Sequence, residues 1–239
     1  MKNDELSTRL ADRVTQHYQR LPSVPDNPKI KSKRCLVALA GGPGSGKSTI
    51  ASAIAEKVCK QGVKCQVVSI EGFMKPKSAL QSEEEVKKRG TIESFDGEAV
   101  VDMFKRLREL GPGHELWAPS FDETKADPVP ESQLIEADSQ AIIFEGIYLL
   151  ADVEPWNQIE HLVDEKWFIH VRPELCRERV AGRRVDKGFS NDINEALKSY
   201  DEFDGKNNDF IGSHRYQTDL TIESNEELGI REPDGKEIK

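Results

Sequence analysis

Residues 41–48 read Gly41-Gly42-Pro43-Gly44-Ser45-Gly46-Lys47-Ser48, the pattern G-x-x-x-x-G-K-[ST]. Its glycines let the backbone curl until several N–H groups point into one cavity. A helix starting at Lys47 adds the positive potential of its N-terminal amides. The Lys47 ammonium can reach β and γ phosphates, and the Ser48 hydroxyl can ligate Mg²⁺. Gly41 to Ser48, with Thr49, are therefore the candidate ATP- and Mg²⁺-binding residues. The flanks fit. Cys35 to Ala40 is a short apolar run suited to a buried parallel strand. Ile50, Ile54 and Val58 recur at four-residue spacing, one face of a helix, and Gly62 would end it. The plain alternative, a glycine-rich turn that binds nothing, does not require that context.

The remaining pattern alternates strands and helices. Strands are expected at Cys65 to Ile70, Ala141 to Phe144, Trp167 to Val171 and Thr218 to Ile222. Helices are expected at Glu98 to Leu110, from Glu174 onward and at Asp192 to Phe203. This implies an α/β fold with a doubly wound, mostly parallel sheet, a P-loop and a helical lid. Leu6, Leu10, Val14 and Tyr18 make an amphipathic stripe, read as a helix packed beside the sheet. Pro22, Pro25 and Pro28 read as a linker, which puts the core domain at 33–224 between a 1–32 extension and a polar tail, 225–239. Gly111 to Pro130 reads as a turn-rich insert.

Composition excludes some classes. The chain has 239 residues with a net charge of −9, which argues against non-specific nucleic-acid or anionic-membrane binding. No apolar stretch approaches membrane-spanning length, and the first residues lack a signal-peptide apolar region. The four cysteines, Cys35, Cys59, Cys65 and Cys176, show no C-x-x-C spacing; three sit within expected core elements, which favours buried free thiols over metal ligands or disulfides in a cytoplasmic protein. The histidines show no metal spacing either. Oligomeric state is not legible, and a homodimer is compatible.

Ligands in such sheets bind outside the carboxyl ends of the strands. That rule selects Glu71, directly after the second strand, and Glu145, directly after the third. Phosphoryl transfer needs one carboxylate to take the proton of the attacking hydroxyl and a group to hold Mg²⁺ or its water. The alternative is that strand ends carry acids simply on emerging into solvent. A basic cluster follows at Arg177, Arg179, Arg183, Arg184 and Lys187. Arg177 and Arg179 can pair locally with Glu174 and Glu178. Arg183 and Arg184 have fewer acidic neighbours and suit a lid that clamps a transferring phosphoryl group. Phe95-Asp96, with Arg89-Gly90 upstream, and Phe121-Asp122 each set an aromatic beside an acid in loop-like sequence. They can bind a hydroxylated substrate or be turn chemistry with a buried ring.

These segments occur in one order, together with Ile70-Glu71-Gly72-Phe73, Pro119-Ser120-Phe121-Asp122 and Ile143-Phe144-Glu145-Gly146-Ile147-Tyr148-Leu149-Leu150. The order resembles the phosphoribulokinase/uridine kinase/pantothenate kinase family over roughly residues 33–224. Within it, Phe121-Asp122-x-x-x-x-Asp127-Pro128 looks most like a poorly characterised nucleoside-kinase-like branch. The resemblance implies ATP- and Mg²⁺-dependent phosphorylation of a small hydroxylated metabolite. It implies Glu71 as base, Lys47 and Ser48 at phosphate and metal, and Glu145 at the metal. Arg183 and Arg184 fall in the lid, with Arg183 catalytic and Arg184 on the nucleotide. Arg89, Phe95, Asp96, Phe121 and Asp122 fall around the acceptor. Asp204-Gly205-Lys206-Asn207-Asn208 resembles a degraded Asn-Asp-x-x-Asn element. There are departures. Glu71 stands where the family usually has Asp, Met74 where a His is frequent, and Lys125-Ala126-Asp127 where uridine-kinase-like chains carry His and Arg. Two other readings compete. A GTPase-type switch has only Asp209-Phe210-Ile211-Gly212 in its favour. A catalytically degenerate nucleotide-binding protein that regulates a partner would show no acceptor-stimulated turnover.

Overall fold

The apolar run at Cys35 is buried along its whole length because it is a central strand of a six-stranded sheet. The computed structural model describes residues 3–24, 27–225 and 228–236. In chain order they form α1 (Asn3–Arg20), β1 (Ser23–Val24), β2 (Asn27–Lys31), β3 (Cys35–Gly41), α2 (Lys47–Lys60) and β4 (Cys65–Ser69). Next come α3 (Glu83–Lys87), α4 (Gly97–Leu110), β5 (Leu116–Asp122), β6 (Asp127–Ile135) and β7 (Ala141–Gly146). The last are β8 (Glu165–His170), α5 (Pro173–Asp186), α6 (Ile193–Ser199), α7 (Gly205–Ser213), β9 (Leu220–Ser224) and β10 (Leu228–Arg231).

The sheet runs β10-β9-β8-β3-β7-β4, with every neighbouring pair parallel except β9–β10. Side chains alternate across β3. Cys35, Val37 and Leu39 face a core shared with α1 and α2, whereas Leu36, Ala38 and Ala40 face one shared with α4. A strand covered on both faces reads as continuously apolar for this reason. From β3 the chain winds outward to β4 and later returns to β8 on the other side, so a topological switch point lies at the carboxyl end of β3.

The N-terminal helix packs as its stripe indicates. Leu6, Leu10, Val14 and Tyr18 are all buried against α2 and the sheet, each burial being worth about 1.5–3 kcal/mol for the apolar side chains. The proline-containing stretch carries the antiparallel pair β1–β2; Pro25 lies outside the described residues.

Three stretches differ from the sequence expectation. The insert from Gly111 is a long antiparallel hairpin, β5–β6, with an irregularity between Ala118 and Ser120. Pro119, Pro128 and Pro130 obscure its alternation, since proline within a run argues against a central strand. The helix from Asp192 does not stop at Phe203. It passes through a π turn, Tyr200–Asp204, into α7, and Gly205 and Gly212 disguise that continuation. Strand β10 lies within the polar C-terminal stretch, where Ile230 is buried against β9.

Candidate active site

The phosphate loop joins β3 to α2 at the switch point. Gly44 and Gly46 have φ of +80° and +88°, a region that side chains disfavour. Lys47 Nζ folds over the loop and donates to the Gly42 carbonyl at 3.1 Å. Ser48 Oγ donates to Glu145 Oε1 at 3.2 Å. Glu145 is only 4% exposed, held between Leu39 of β3 and Ser69 of β4 in the sheet register. Pro43, Gly44, Gly46, Lys47, Ser48 and Thr49 form one wall of a cavity of about 370 Å³. Gly41 instead backs onto β8, where a Cβ would lie 3.0 Å from the Ile169 carbonyl. Gly42 and Ser45 face a second cavity, about 460 Å³, between β8 and α7.

Glu71 lines the same cavity. It sits in a short 3-10 turn, Ile70–Phe73, whose first residue follows β4 and whose cap is Ser69 Oγ, accepting from Glu71 N at 3.3 Å. The β5–β6 hairpin presses on this turn: a Cβ on Gly72 would come 2.4 Å from the Pro119 carbonyl. The Glu71 side chain is solvent-accessible through the cavity mouth but ringed by protein elsewhere. That enclosure, and then the charge of Glu145, push its carboxyl above the ordinary carboxylate range, against the pull of Lys47 and Arg183. The Lys47 ammonium is pushed below its usual value, first by desolvation and also by Arg183, while Glu145 and Glu71 oppose the shift. Glu71, Lys47 and Arg183 thus share one electrostatic environment.

The lid is α5. Arg183 borders both the phosphate-loop cavity and a third cavity of about 430 Å³ that reaches Phe121 and Phe189. Arg184, one step round the helix, pairs with Asp204 Oδ2 at 2.8 Å and faces only the third cavity of these two. Arg179 belongs in the site although its sequence neighbours suggest a solvated ion pair. It lines the phosphate-loop cavity and donates to the carbonyls of Gly44 (3.4 Å) and Ser224 (3.1 Å). The signal was available: Arg179 and Arg183 are four apart and share a helix face. Arg177 pairs with Asp201 rather than with Glu174.

The acceptor-side candidates divide. Phe95 is buried, lines the phosphate-loop cavity and meets Tyr148 edge-on at 5.5 Å. Phe121 lines the third cavity, which shares Glu71, Arg183 and Asp204 with the phosphate-loop cavity. Asp96 caps α4, accepting from Ala99 N at 3.0 Å, and borders a separate hollow beside Trp156. Asp122 closes the hairpin turn by accepting from Thr124 N and Lys125 N. Arg89 fastens the hairpin through the Ala126 carbonyl (2.6 Å) and Asp127 (3.0 Å), and its neighbour Gly90 reaches the cavity instead. Asp204 and Asn207, from the element whose role the sequence left open, also line the cavity.

Hard oxygen donors suit Mg²⁺, which commonly takes one or two protein oxygens beside phosphate and water. Ser48 Oγ and Glu145, already in contact, fit that role. Among the described residues no group of three or more His, Cys, Asp or Glu side chains could hold a metal ion, and no helix is long and apolar enough to cross a membrane. The loop's two left-handed glycines and the lysine beside them fit a triphosphate.

Residues 36–230 match the Phosphoribulokinase / Uridine kinase family. The chain belongs to this family. A Schizosaccharomyces pombe protein provisionally named a uridine kinase is 31% identical over 199 residues, spanning 80% of this chain and 83% of that one. An Aspergillus versicolor ATP-dependent kinase-like protein is 33% identical over 162 residues, 65% of this chain and 94% of its own. Among solved structures, a Silicibacter sp. TM1040 protein with a provisional fructose transport system kinase name superposes with a TM-score of 0.77 at 26% identity. That likeness covers 92% of this chain and 98% of the other. The P-loop kinase fold and kinase class follow from these matches together with the parallel sheet.

Proposed function

We propose that this kinase-family chain transfers the γ-phosphoryl group of ATP to a hydroxyl of a small metabolite. The observation that carries the reading is that Glu71 lines the same cavity as Lys47, Ser48 and Arg183, with its carboxyl within electrostatic reach of both Lys47 and Arg183. A hydroxyl entering between the walls gives its proton to the Glu71 carboxylate. Its oxygen forms the new bond to γ-phosphorus, and the bond from phosphorus to the bridging oxygen of ADP breaks. Lys47 and Arg183 stabilise the charge on the transferring group. Ser48 and Glu145 would hold Mg²⁺, which supplies charge neutralisation at the β and γ oxygens. Arg179, tied to Gly44, keeps the lid helix against the loop.

The acceptor candidates are a nucleoside, a sugar, a glycerate-like acid and a pantothenate-like compound. The test is ADP release from ATP across such a panel, with Glu71→Gln as control. Acceptor-stimulated release in the wild type that collapses in the variant supports the reading. Full activity in the variant removes Glu71 as base.

A further inference from the structure

We propose that the cavity between β8 and α7 is a second binding site, for a small metabolite that carries an oxyanion, a carboxylate or a phosphate, and that Arg215 is its anchor. The cavity holds about 460 Å³, and among the described residues it shares no lining residue with the phosphate-loop cavity. Lys47, Ser48, Thr49 and Arg179 line the phosphate-loop cavity, whereas Gly42 and Ser45 line this one. Phe168 and Ile169 of β8 pair with Ala40 and Gly41, which sets the end of β8 beside the start of the loop. Arg215 follows α7 by two residues. Its backbone bridges to Ala151, and its guanidinium carbon lies over the Phe168 ring, 4.3 Å from the centroid.

This guanidinium has no anion beside it. Its Nε is buried without a hydrogen-bond partner, and no carboxylate among the described residues pairs with it. Burial pushes Arg215 below its usual value, and no acid offsets that shift. Taking a charge out of water is costly unless a partner compensates. The Phe168 ring offsets part of the cost but supplies no acceptor oxygen. The other polar groups of the lining are engaged or exposed. Asn208 Nδ2 donates to the Pro43 carbonyl and to Tyr200 OH, and Ser213 Oγ donates to the Asp209 carbonyl. His170 Nδ1 meets Glu223 at 2.8 Å, and Asp209, the one acid of the lining, is exposed. Ser45 is 1% exposed, and its hydroxyl is also buried without a partner. The buried donors left over therefore belong to Arg215 and Ser45. The positive end of α5 adds to them, since Pro173 stands at its first position and lines the cavity. An oxyanion accepting from the guanidinium fork supplies the missing partner, in the bidentate geometry that carboxylates and phosphates share. Gly42 and Ser45 belong to the phosphate loop and Asn208 is bonded to it, so the occupant rests against that loop.

Calorimetry tests this with the catalytic cavity filled by a saturating non-hydrolysable ATP analogue and Mg²⁺. The probes are inorganic phosphate and glycerol 3-phosphate in one arm and acetate and succinate in the other, with glycerol, acetamide and succinamide as uncharged counterparts. At least one oxyanion should bind about ten-fold or more tighter than its uncharged counterpart, as expected for a charge-assisted hydrogen bond. The arm that binds separates phosphate from carboxylate. Arg215→Met should weaken that binding about ten-fold or more. Arg215→Lys keeps the charge and loses the fork, so it should weaken binding about three-fold or more; it provides the measurement if the Met variant does not fold. Affinity for the ATP analogue should stay within about three-fold in the folded variants, the behaviour of independent sites. No binding of any oxyanion, or equal binding of the uncharged counterparts, would overturn the proposal. Undiminished oxyanion binding in the Arg215 variants would assign the anion to the lid cations instead. A larger loss of ATP-analogue affinity in those variants would assign the cavity to the nucleotide, and either result overturns the proposal as well.

Discussion

Gly42→Ala tests whether α7 is seated on the phosphate loop. The new methyl would lie 1.3 Å from Asn208 Oδ1 and 2.4 Å from its Cγ. The Asn208 amide must therefore swing away and give up its bonds to the Pro43 carbonyl and Tyr200 OH. At about 0.5–1.5 kcal/mol net for each bond, the substitution should destabilise the fold by about 1–3 kcal/mol. Asn208→Ala removes the same two bonds and should cost about the same. With Asn208 truncated, the space beside Gly42 opens, so the double variant should be no less stable than Asn208→Ala by more than a few tenths of a kcal/mol. Urea unfolding of the four proteins, followed by circular dichroism, gives the cycle. A coupling of about 1–3 kcal/mol is predicted. Additivity within about 0.5 kcal/mol, the behaviour of independent sites, would refute the seating.

Other consequences follow from the same packing and charge. Gly146→Ala would put a methyl 2.0 Å from Cγ1 of the buried Ile70; overpacking of about 1–3 kcal/mol should displace the Glu71 turn and lower acceptor-stimulated ADP release more than nucleotide affinity. Arg34 is 1% exposed and donates to the carbonyls of Ser139, Gly111 and His114, so Arg34→Met should destabilise by about 3 kcal/mol or more in thermal unfolding, through carbonyls left unpaired. The raised Glu71 carboxyl sets two pH effects. Turnover should rise with pH through a limb above the ordinary carboxylate range of about 4.3, because the base must be ionised. A folded-state value raised above the unfolded one also means a contribution to stability that is present at acid pH and lost as pH rises through the folded value. Glu71→Gln should therefore unfold at a higher temperature than the wild type at neutral pH, with the gap closing toward acid.

The parallel sheet was legible because Cys35 to Ala40 and Ala141 to Phe144 are apolar on both faces, and the loop between β3 and α2 carries an unambiguous spacing. Local pattern failed where one residue type serves two physical ends. Asp96 and Asp122 have the composition of ligand-binding acids, yet one caps a helix and the other closes a hairpin turn. Arg179 has acidic sequence neighbours, but tertiary packing turns it onto Gly44. The hairpin was hidden by prolines that sit at its irregular and paired positions. Asp204 and Asn207 reach the cavity only because α7 packs across Gly90 and the phosphate loop, a relation between segments more than a hundred residues apart.

The most direct test of phosphoryl transfer with Glu71 as base is ADP release measured with ATP, Mg²⁺ and the acceptor panel, wild type against Glu71→Gln. An acceptor should accelerate release in the wild type, and the substitution should lower kcat by about 10²-fold or more, the usual contribution of general-base catalysis. Undiminished turnover in Glu71→Gln, or nucleotide-dependent thermal stabilisation with no acceptor raising ADP release, would contradict the account.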